Sequence, residues 1–337
     1  MPRRSPAGHG PSVIALSERE IALFLPGSLR NRLGALLPAA HWIDPSTAQS
    51  DWNGLLARTS PEIILSGWHT PPLSIDSAAL RYVCHIAGSV RRHVPRVLLE
   101  SGVLVTNWGE TVSETVAEGA LTLILAALRR TQEFGRVMHR ERGWQWMPAG
   151  TQSLFDRHVG LHGFGSVARS LIPMLRLFRC PVKVFTTGVP AHWYTDHGVE
   201  RADSLDELFG WSDVVIEAEA LTSENRGAVN EGLLRRLRRG SVFVNVGRGG
   251  LVDEAALARV AAENGLRLGL DVFDVEPLPV DSPLRGLPDA VLSPHLAGPT
   301  DDRAHLCGEF ALRNIERYLA GETPEGTVSL AVYDRAT

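Results

Sequence analysis

The sequence predicts an α/β protein with two doubly wound domains, each built on a parallel sheet, and an interdomain cleft. Three observations favour this fold class. The chain has 337 residues, more than one hydrophobic core usually supports. Short apolar runs alternate with longer helical stretches, which is typical of parallel sheets covered by helices on both faces. The short runs are rich in Val, Ile and Leu without alternation, as expected for strands buried on both faces.

The predicted strands are short apolar runs. In chain order they are residues 21–25, 62–66, 82–87, 104–106, 159–163, 182–186, 213–218, 241–246, 268–273 and 290–295. The predicted helices between them include residues 113–130, 166–178, 253–265 and 303–321. In the third of these helices, Asp253 suits the N-cap and Gly265 suits the left-handed residue at the end.

Composition and charge argue against several classes of function. The formal net charge is −4, with 44% hydrophobic and 21% charged residues, so neither nucleic acid nor an anionic membrane is an expected partner. The longest uncharged apolar run, residues 119–128, is too short to span a bilayer. Residues 1–12 are expected to form a disordered tail, and the protein is expected to be cytoplasmic.

The three cysteines predict neither a disulfide framework nor a metal site. They lie far apart and form no CxxC pair, at Cys84, Cys180 and Cys307. We interpret them as small buried apolar residues in a reducing compartment.

Residues 159–168, VGLHGFGSVA, have the spacing of a dinucleotide-binding turn. The pattern follows a predicted strand and opens a predicted helix, and this context makes it more specific than GxGxxA alone. Gly163 permits the tight turn, and Gly165 lets a pyrophosphate approach the backbone. The first N–H groups of the helix, at Ser166 and Val167, should face the phosphates. The turn therefore predicts a Rossmann-like domain that binds NAD or NADP.

The residue expected to choose between the two cofactors is Thr186. An acidic residue about 20 positions after the glycines usually accepts hydrogen bonds from the adenosine ribose, and here that position holds Thr186. A hydroxyl can bind ribose but does not repel a 2′-phosphate. Residues 187–195 contain no Arg or Lys, and His192 is their only candidate cation. The sequence leaves the selectivity between NAD and NADP undecided.

Three later motifs each place polar side chains just after a predicted strand, where open α/β sheets bind ligands. They are FVNVGRGGLVDEAAL with Arg248, GLDVFDVEPL with Asp271 and Glu276, and VLSPHLAGPT with His295. These residue types suit proton transfer and the binding of an anionic ligand. A histidine can donate a proton near neutral pH, a neighbouring carboxylate favours its imidazolium form, and a guanidinium binds a carboxylate through two hydrogen bonds.

The motifs, in this order, resemble the D-isomer-specific 2-hydroxyacid dehydrogenase family over nearly the whole chain. Further matching stretches are residues 105–118, 212–227 and 314–322. The resemblance implies a homodimeric, NAD(P)-dependent enzyme that interconverts a 2-keto acid and a D-2-hydroxy acid. It implies catalytic roles for Arg248, Glu276 and His295, with His295 as general acid and base. It also implies cofactor contacts at Val246, Asp271 and Gly298, with Asp271 on the nicotinamide amide.

The chain departs from the common family pattern beside the cofactor. Residues 214–222 read VVIEAEALT. The family commonly has a His and a Pro before Leu-Thr, where this chain has Glu217, Ala218, Glu219 and Ala220. The shape of this wall of the cofactor site is therefore not predicted by the resemblance.

The predicted substrate loop also differs. It reads HIAGSVRRHVP over residues 85–95, and the resemblance implies that backbone N–H groups near Gly88 and Ser89 hold the substrate carboxylate. Arg91 or Arg92 could meet a second anionic group on the substrate or could be solvated arginines of a surface turn. The sequence leaves both interpretations open.

The predicted nucleotide-binding domain covers residues 108–296. It is inserted into a discontinuous, flavodoxin-like substrate domain of residues 1–107 and 297–337, with the active site expected in the cleft. Two alternative functions stay open on this scaffold, because a fold alone does not define an activity. One is a dinucleotide-binding regulator like the C-terminal-binding-protein corepressors, and the other is a dehydrogenase of formate or phosphite.

Overall fold

The structure, a computed structural model, describes residues 9–48, 51–73, 79–144 and 150–335. The chain divides into two compact units. The discontinuous unit comprises Met1–Val112 and Thr300–Thr337, and the central unit comprises Ser113–Pro299. The domain division predicted from the sequence differs from these bounds by a few residues at each junction.

The strands of the described residues form two parallel sheets. The discontinuous unit has β1 (Ser12–Ala15), β2 (His41–Ile43), β3 (Ile63–Ser66), β4 (Tyr82–His85) and β5 (Leu104–Thr106), in the order β2-β1-β3-β4-β5. The central unit has β6 (Val159–His162), β7 (Val182–Phe185), β8 (Glu200–Arg201), β9 (Val214–Glu217), β10 (Val242–Asn245), β11 (Arg267–Leu270) and β12 (Val291–Leu292), in the order β12-β11-β10-β9-β6-β7-β8. Two α/β units with parallel sheets are the fold class that the sequence predicted.

Helices connect these strands. They are α1 (Glu18–Phe24), α2 (Ser28–Leu36), α3 (Pro45–Ala48), α4 (Trp52–Thr59), α5 (Arg96–Glu100), α6 (Ser113–Arg129), α7 (Thr131–His139), α8 (Ser166–Arg176), α9 (His192–Asp196), α10 (Leu205–Trp211), α11 (Glu231–Leu234), α12 (Glu254–Asn264), α13 (His305–Leu319) and α14 (Leu330–Arg335). Short 3-10 helices occupy Gly249–Leu251 and Pro283–Gly286. As predicted, the Asp253 side chain caps α12, and Gly265 ends it in the left-handed conformation.

The first predicted strand, residues 21–25, was wrong, because this segment belongs to helix α1. The Ser17 hydroxyl accepts from the Glu20 N–H, and the Glu20 carboxylate accepts from the Ser17 N–H, which forms a capping box. The strand of this region is instead β1. The predicted disordered tail overlaps β1 at residue 12, and its first eight residues lie outside the described residues.

The edge strands β2 and β8 were not predicted, since neither has a long apolar run. The predicted strand at 290–295 shortens to β12 because the chain turns into the loop that carries His295.

In the central unit, helix α6 packs on α8 and on strands β10 and β11. Its buried face includes Ala120, Leu123 and Ile124, in contact with a core of Val and Leu side chains from the sheet. Each large apolar side chain buried in this way stabilises the fold by roughly 1.5–3 kcal/mol. The core holds the strands in register, so their carboxyl ends share one edge of the sheet.

The chain reverses its direction of winding between β6 and β9, which are adjacent in the sheet although β7 and β8 separate them in sequence. Such a switch point is where doubly wound sheets bind dinucleotides. Within the described part of the chain, no helix combines the length and apolar character that a membrane crossing requires.

Candidate active site

The turn after β6 contains two glycines, and the structure explains the glycine at each position differently. Gly163 has a φ of +103°, a region that favours glycine. A Cβ at this position would lie 2.6 Å from the carbonyl carbon of Ala218 and 2.7 Å from the backbone nitrogen of Glu219. A Cβ at Gly165 would meet no atom of the described residues within 4 Å. The turn is therefore tightly packed at Gly163 and open at Gly165, where the pyrophosphate is predicted.

Helix α8 begins directly after Gly165, an N-cap residue that has no side chain to accept from the helix N–H groups. The first N–H groups of a helix have no acceptor within the helix, so those of Ser166 and Val167 suit phosphate oxygens. Ala168 is fully buried, which permits the close packing between helix and sheet that the turn needs. Open space beside uncapped helix donors is a fit for the pyrophosphate of a dinucleotide.

Thr186, at the end of β7, has a partner that the sequence did not reveal. Its hydroxyl donates to Glu219 Oε2 at 2.6 Å. Glu219 lies in the loop after β9, 33 residues further along the chain. A carboxylate is therefore present at the end of β7, although β7 itself does not supply one.

Asn245, the last residue of β10, organises the loop that presents Arg248. Its buried side chain accepts from the Gly247 N–H at 3.0 Å and donates to the Arg248 carbonyl oxygen at 3.1 Å. A Cβ on Gly249 would lie 1.8 Å from the carbonyl carbon of Phe273, so only glycine allows this loop to pack on the next one. Burial lowers the pKa of the Arg248 guanidinium, and the nearby Glu276 carboxylate opposes that effect.

His295 and Glu276 form a hydrogen-bonded pair. His295 Nδ1 lies 2.7 Å from Glu276 Oε2, and Glu276 Oε1 accepts from the Phe273 N–H at 3.0 Å. The hydrogen bond to Glu276 raises the pKa of His295 against the opposing effect of burial. Burial acts to raise the pKa of Glu276, but the hydrogen bonds from His295 and Phe273 outweigh it and lower that pKa. The pair therefore favours a carboxylate beside an imidazolium.

Arg248 belongs to the same cluster. Its positive charge contributes to the lowered pKa of Glu276 and opposes the rise in the pKa of His295. The three side chains come from separate loops, after β10, β11 and β12, and are near enough to interact electrostatically because these strands are neighbours with carboxyl ends on one edge. The His295 side chain is 50% exposed, so its ring is accessible to a ligand.

Asp271 holds the backbone that carries His295. Its buried carboxylate accepts from the Leu296 N–H at 2.9 Å and from the Ala297 N–H at 3.0 Å. Its carbonyl oxygen accepts from the His295 N–H at 2.8 Å. His295 has a φ of +59°, in the left-handed region that costs a residue with a side chain roughly 1–2 kcal/mol. The hydrogen bonds to Asp271 offset that cost and fix the position of His295.

Val246 and Gly298, the other predicted cofactor residues, have clear packing roles. Val246 is buried, and its N–H donates to the Glu217 carbonyl oxygen at 3.1 Å. A Cβ on Gly298 would lie 2.7 Å from Thr115 Oγ1 and 2.9 Å from Val116 Cγ2. Close packing on α6 thus explains the glycine, and the cofactor contacts of both residues stay predictions.

The predicted substrate loop follows β4 in the discontinuous unit. A Cβ on Gly88 would lie 2.6 Å from Trp108 Cζ2, so the indole excludes any side chain there. Ser89, next to it, is half-buried. The exposed guanidinium of Arg91 lies over the ring of Tyr333, 5.8 Å from its centroid. Arg91 therefore has an aromatic partner within its own unit, and its contact with substrate stays a prediction.

Some residues of this region were missed by sequence reasoning. They are His162 and Asn245. The sequence also did not reveal that Glu217 contacts His162 or that Glu219 contacts Thr186. His162, Glu217 and Asn245 each end an otherwise apolar strand, and a polar residue at that position is a signal that the sequence does contain. In the described residues, no group of three or more His, Cys, Asp or Glu side chains could hold a metal ion.

Comparison with known proteins identifies the family to which the chain is similar. The profile described as "D-isomer specific 2-hydroxyacid dehydrogenase, NAD binding domain" matches residues 121–297. A glyoxylate reductase from Korarchaeum cryptofilum is 31% identical over 236 residues, which cover 68% of this chain and 70% of that protein. A glyoxylate reductase structure from Paecilomyes thermophila has a TM-score of 0.81 at 21% identity, covering 95% of this chain and 98% of that one. An NADPH-dependent glyoxylate/hydroxypyruvate reductase from Sinorhizobium meliloti has a TM-score of 0.75 at 22% identity, covering 98% and 100%.

These relatives define the class of the protein as an NAD(P)-dependent oxidoreductase that interconverts 2-keto acids and 2-hydroxy acids. More particularly, the chain belongs to the D-isomer-specific 2-hydroxyacid dehydrogenase family. These relatives do not favour the regulatory alternative or the formate and phosphite alternative.

Proposed function

We infer that Arg248, Glu276 and His295 are the catalytic residues of this oxidoreductase. The observation that carries the inference is the 2.7 Å hydrogen bond between His295 and Glu276 within the electrostatic influence of Arg248. A proton donor, the carboxylate that orients it and a guanidinium for an anionic substrate are the groups that reduction of a 2-keto acid requires.

The roles follow from the hydrogen bonds. A bound nicotinamide would supply the hydride that C2 of the substrate gains in reduction and would accept it in oxidation. His295 keeps Nδ1–H toward Glu276 and donates its Nε2 proton to the keto oxygen, and it takes the proton back in the oxidation direction. Glu276 stabilises the imidazolium and holds the ring in one orientation. Arg248 binds the substrate carboxylate and polarises the ketone.

Further contacts are proposed for both ligands. The N–H groups at Gly88 and Ser89 bind the substrate carboxylate, and Arg91 meets a second anionic group where the substrate has one. The N–H groups of Ser166 and Val167 bind the pyrophosphate at the open face of Gly165, with Val246 and Gly298 beside the cofactor. Each Asp271 oxygen has a second lone pair, which can accept from the nicotinamide amide.

The substrates we propose are small 2-keto acids such as glyoxylate and hydroxypyruvate. Support comes from the names of several relatives, which are glyoxylate and glyoxylate/hydroxypyruvate reductases, beside others named D-3-phosphoglycerate dehydrogenase. We also propose that the enzyme is a homodimer in the cytoplasm. Family resemblance supports the dimer, and the three buried free cysteines suit a reducing compartment.

The test is a set of initial rates with NADH and NADPH on glyoxylate, hydroxypyruvate, pyruvate and a branched keto acid. We expect His295→Ala to reduce kcat by about 10²–10⁴-fold, the usual contribution of a general acid. His139→Ala, at an exposed histidine that ends α7, is the matched control and should retain full activity. A folded His295→Ala enzyme with undiminished kcat would contradict the assignment.

The role of Arg91 has its own test. Arg91→Ala and Arg92→Ala remove the same charge from adjacent exposed positions. If Arg91 contacts substrate, only Arg91→Ala raises KM, and only for keto acids with a second anionic group. Equal KM values for the two variants on every substrate would contradict a contact between Arg91 and the substrate.

A further inference from the structure

The carboxylate beside Thr186 belongs to Glu219, in the loop after β9, and β9 is not adjacent to β7. In the sheet, β6 lies between β7 and β9. The chain leaving β9 reaches the end of β7 by lying on Gly163, where a Cβ would be 2.6 Å from the Ala218 carbonyl carbon. This crossing delivers Glu219 to the Thr186 hydroxyl at 2.6 Å.

The Glu219 side chain is held in place by several hydrogen bonds. Besides accepting from Thr186, it accepts from the Ala220 N–H at 2.9 Å. Its own N–H donates to Glu217 Oε1 at 2.9 Å, and Glu217 Oε2 lies 2.6 Å from His162 Nδ1. One network thus joins the ends of three strands beside the dinucleotide turn.

The network has an excess of negative charge on its accessible side. Glu217 and His162 are buried, and the imidazolium form of His162 can compensate only one carboxylate. Glu219 is the partly exposed carboxylate of the network, so it is the one that a ligand beside the turn can reach.

We propose that Glu219 replaces the missing acidic residue of β7 and makes this enzyme select NAD(H) over NADP(H). The inference rests on the cofactor site proposed above. In dinucleotide folds, a carboxylate at this end of the sheet accepts hydrogen bonds from the adenosine ribose hydroxyls. Each Glu219 oxygen has a second lone pair for this purpose. The 2′-phosphate of NADP(H) would instead place a charge of about −2 next to the carboxylate.

A cation that could oppose this effect is Arg169, on the first turn of α8. Its guanidinium lies over the Trp193 ring, 4.8 Å from the centroid, and its Nε is 3.4 Å from the Gly165 carbonyl oxygen. Binding of a 2′-phosphate by Arg169 would favour NADPH, whereas the Glu219 carboxylate would favour NADH.

The experiment measures the Kd of NADH and of NADPH for the full chain by calorimetric titration. We expect wild-type protein to bind NADH at least about tenfold more tightly, since like charges brought together oppose binding. Glu219→Gln keeps the shape and removes the charge, and should bring the two Kd values within about threefold of each other, mainly by improving NADPH. Glu224→Gln removes a charge from an exposed position further along the same loop and should leave the wild-type ratio unchanged.

Equal or tighter binding of NADPH by wild-type protein would overturn the proposal, and this comparison needs no variant. A ratio of the NADPH and NADH Kd values that stays at the wild-type level in folded Glu219→Gln would also overturn the proposal. Failure to bind either dinucleotide would refute the cofactor site itself, which distinguishes that failure from an error about selectivity. Arg169→Ala adds a second readout, because loss of NADPH binding in that variant alone would assign selectivity to Arg169 instead.

Discussion

The hydrogen bond between His295 and Glu276 predicts the pH dependence of both reaction directions. In the role proposed for it, His295 must be protonated for reduction and neutral for oxidation, so the rate of reduction should fall above its pKa and the rate of oxidation below it. The Glu276 carboxylate raises that pKa. We expect Glu276→Gln to lower it, which moves the alkaline fall of reduction and the acid fall of oxidation to lower pH.

The measurement is kcat/KM in both directions between about pH 5 and pH 10. Glu263→Gln, at an exposed residue paired with Arg235, is the control and should leave both profiles in place. Profiles of Glu276→Gln that coincide with those of wild type would show that another group titrates.

The buried pair of His162 and Glu217 predicts a stability effect. Burial acts to lower the pKa of His162, but Glu217 outweighs it and the pKa is raised. The stabilisation that the His162–Glu217 pair gives the folded state is therefore complete below the ordinary histidine pKa. It is lost as the pH rises through the raised pKa of His162. Glu217→Leu leaves a buried histidine without its partner and should cost about 3–5 kcal/mol.

Adding His162→Leu to that variant should recover part of the loss, because two apolar residues can replace a buried ion pair at little cost, although the Glu219 N–H still lacks its Glu217 acceptor. Urea unfolding of both single variants, the double variant and wild type measures this coupling. A double variant no more stable than Glu217→Leu would mean that the pair is not energetically coupled.

At the scale of the elements, the turn from β6 into α8 offers a matched pair of glycine substitutions. Gly163→Ala places a methyl group 2.6 Å from backbone at a positive φ, and should destabilise the fold by about 1–3 kcal/mol or more. Gly165→Ala places a methyl group in open space, so stability should change by less than about 1 kcal/mol while NADH binding weakens.

Thermal unfolding and NADH titration of the two variants separate these effects. Normal NADH affinity in Gly165→Ala would argue that the pyrophosphate does not approach this glycine. Normal stability in Gly163→Ala would argue that the chain after β9 can move away from the turn.

For the whole molecule, the division into two units predicts what one unit can do alone. The central unit is one continuous segment with its own core, and it contains the predicted cofactor site and the cluster of Arg248, Glu276 and His295. We expect residues 113–299 to fold in isolation and to bind NADH, because a compact unit with its own core can fold independently.

The isolated unit should not reduce keto acids, since it lacks the loop with Gly88 and Ser89. Circular dichroism, NADH titration and a turnover assay test these expectations together. A folded unit that reduced keto acids at the wild-type rate would show that the discontinuous unit is dispensable for substrate binding.

Most of the fold was predictable because buried parallel strands are short apolar runs and the helices between them are periodic. The failures have local causes. Residues 21–25 are as apolar as a strand, but the capping box of Ser17 and Glu20 starts a helix there. The edge strands β2 and β8 bury little, so no apolar run marks them.

The local sequence established which chemical groups stand at each strand end, because a motif such as the one around Arg248 or His295 is continuous along the chain. It could not establish which strand ends are neighbours. The contact between Thr186 and Glu219 depends on β6 lying between β7 and β9 and on the missing side chain of Gly163. Such contacts form only when the sheet assembles, since its strand order results from packing between residues that are far apart in sequence.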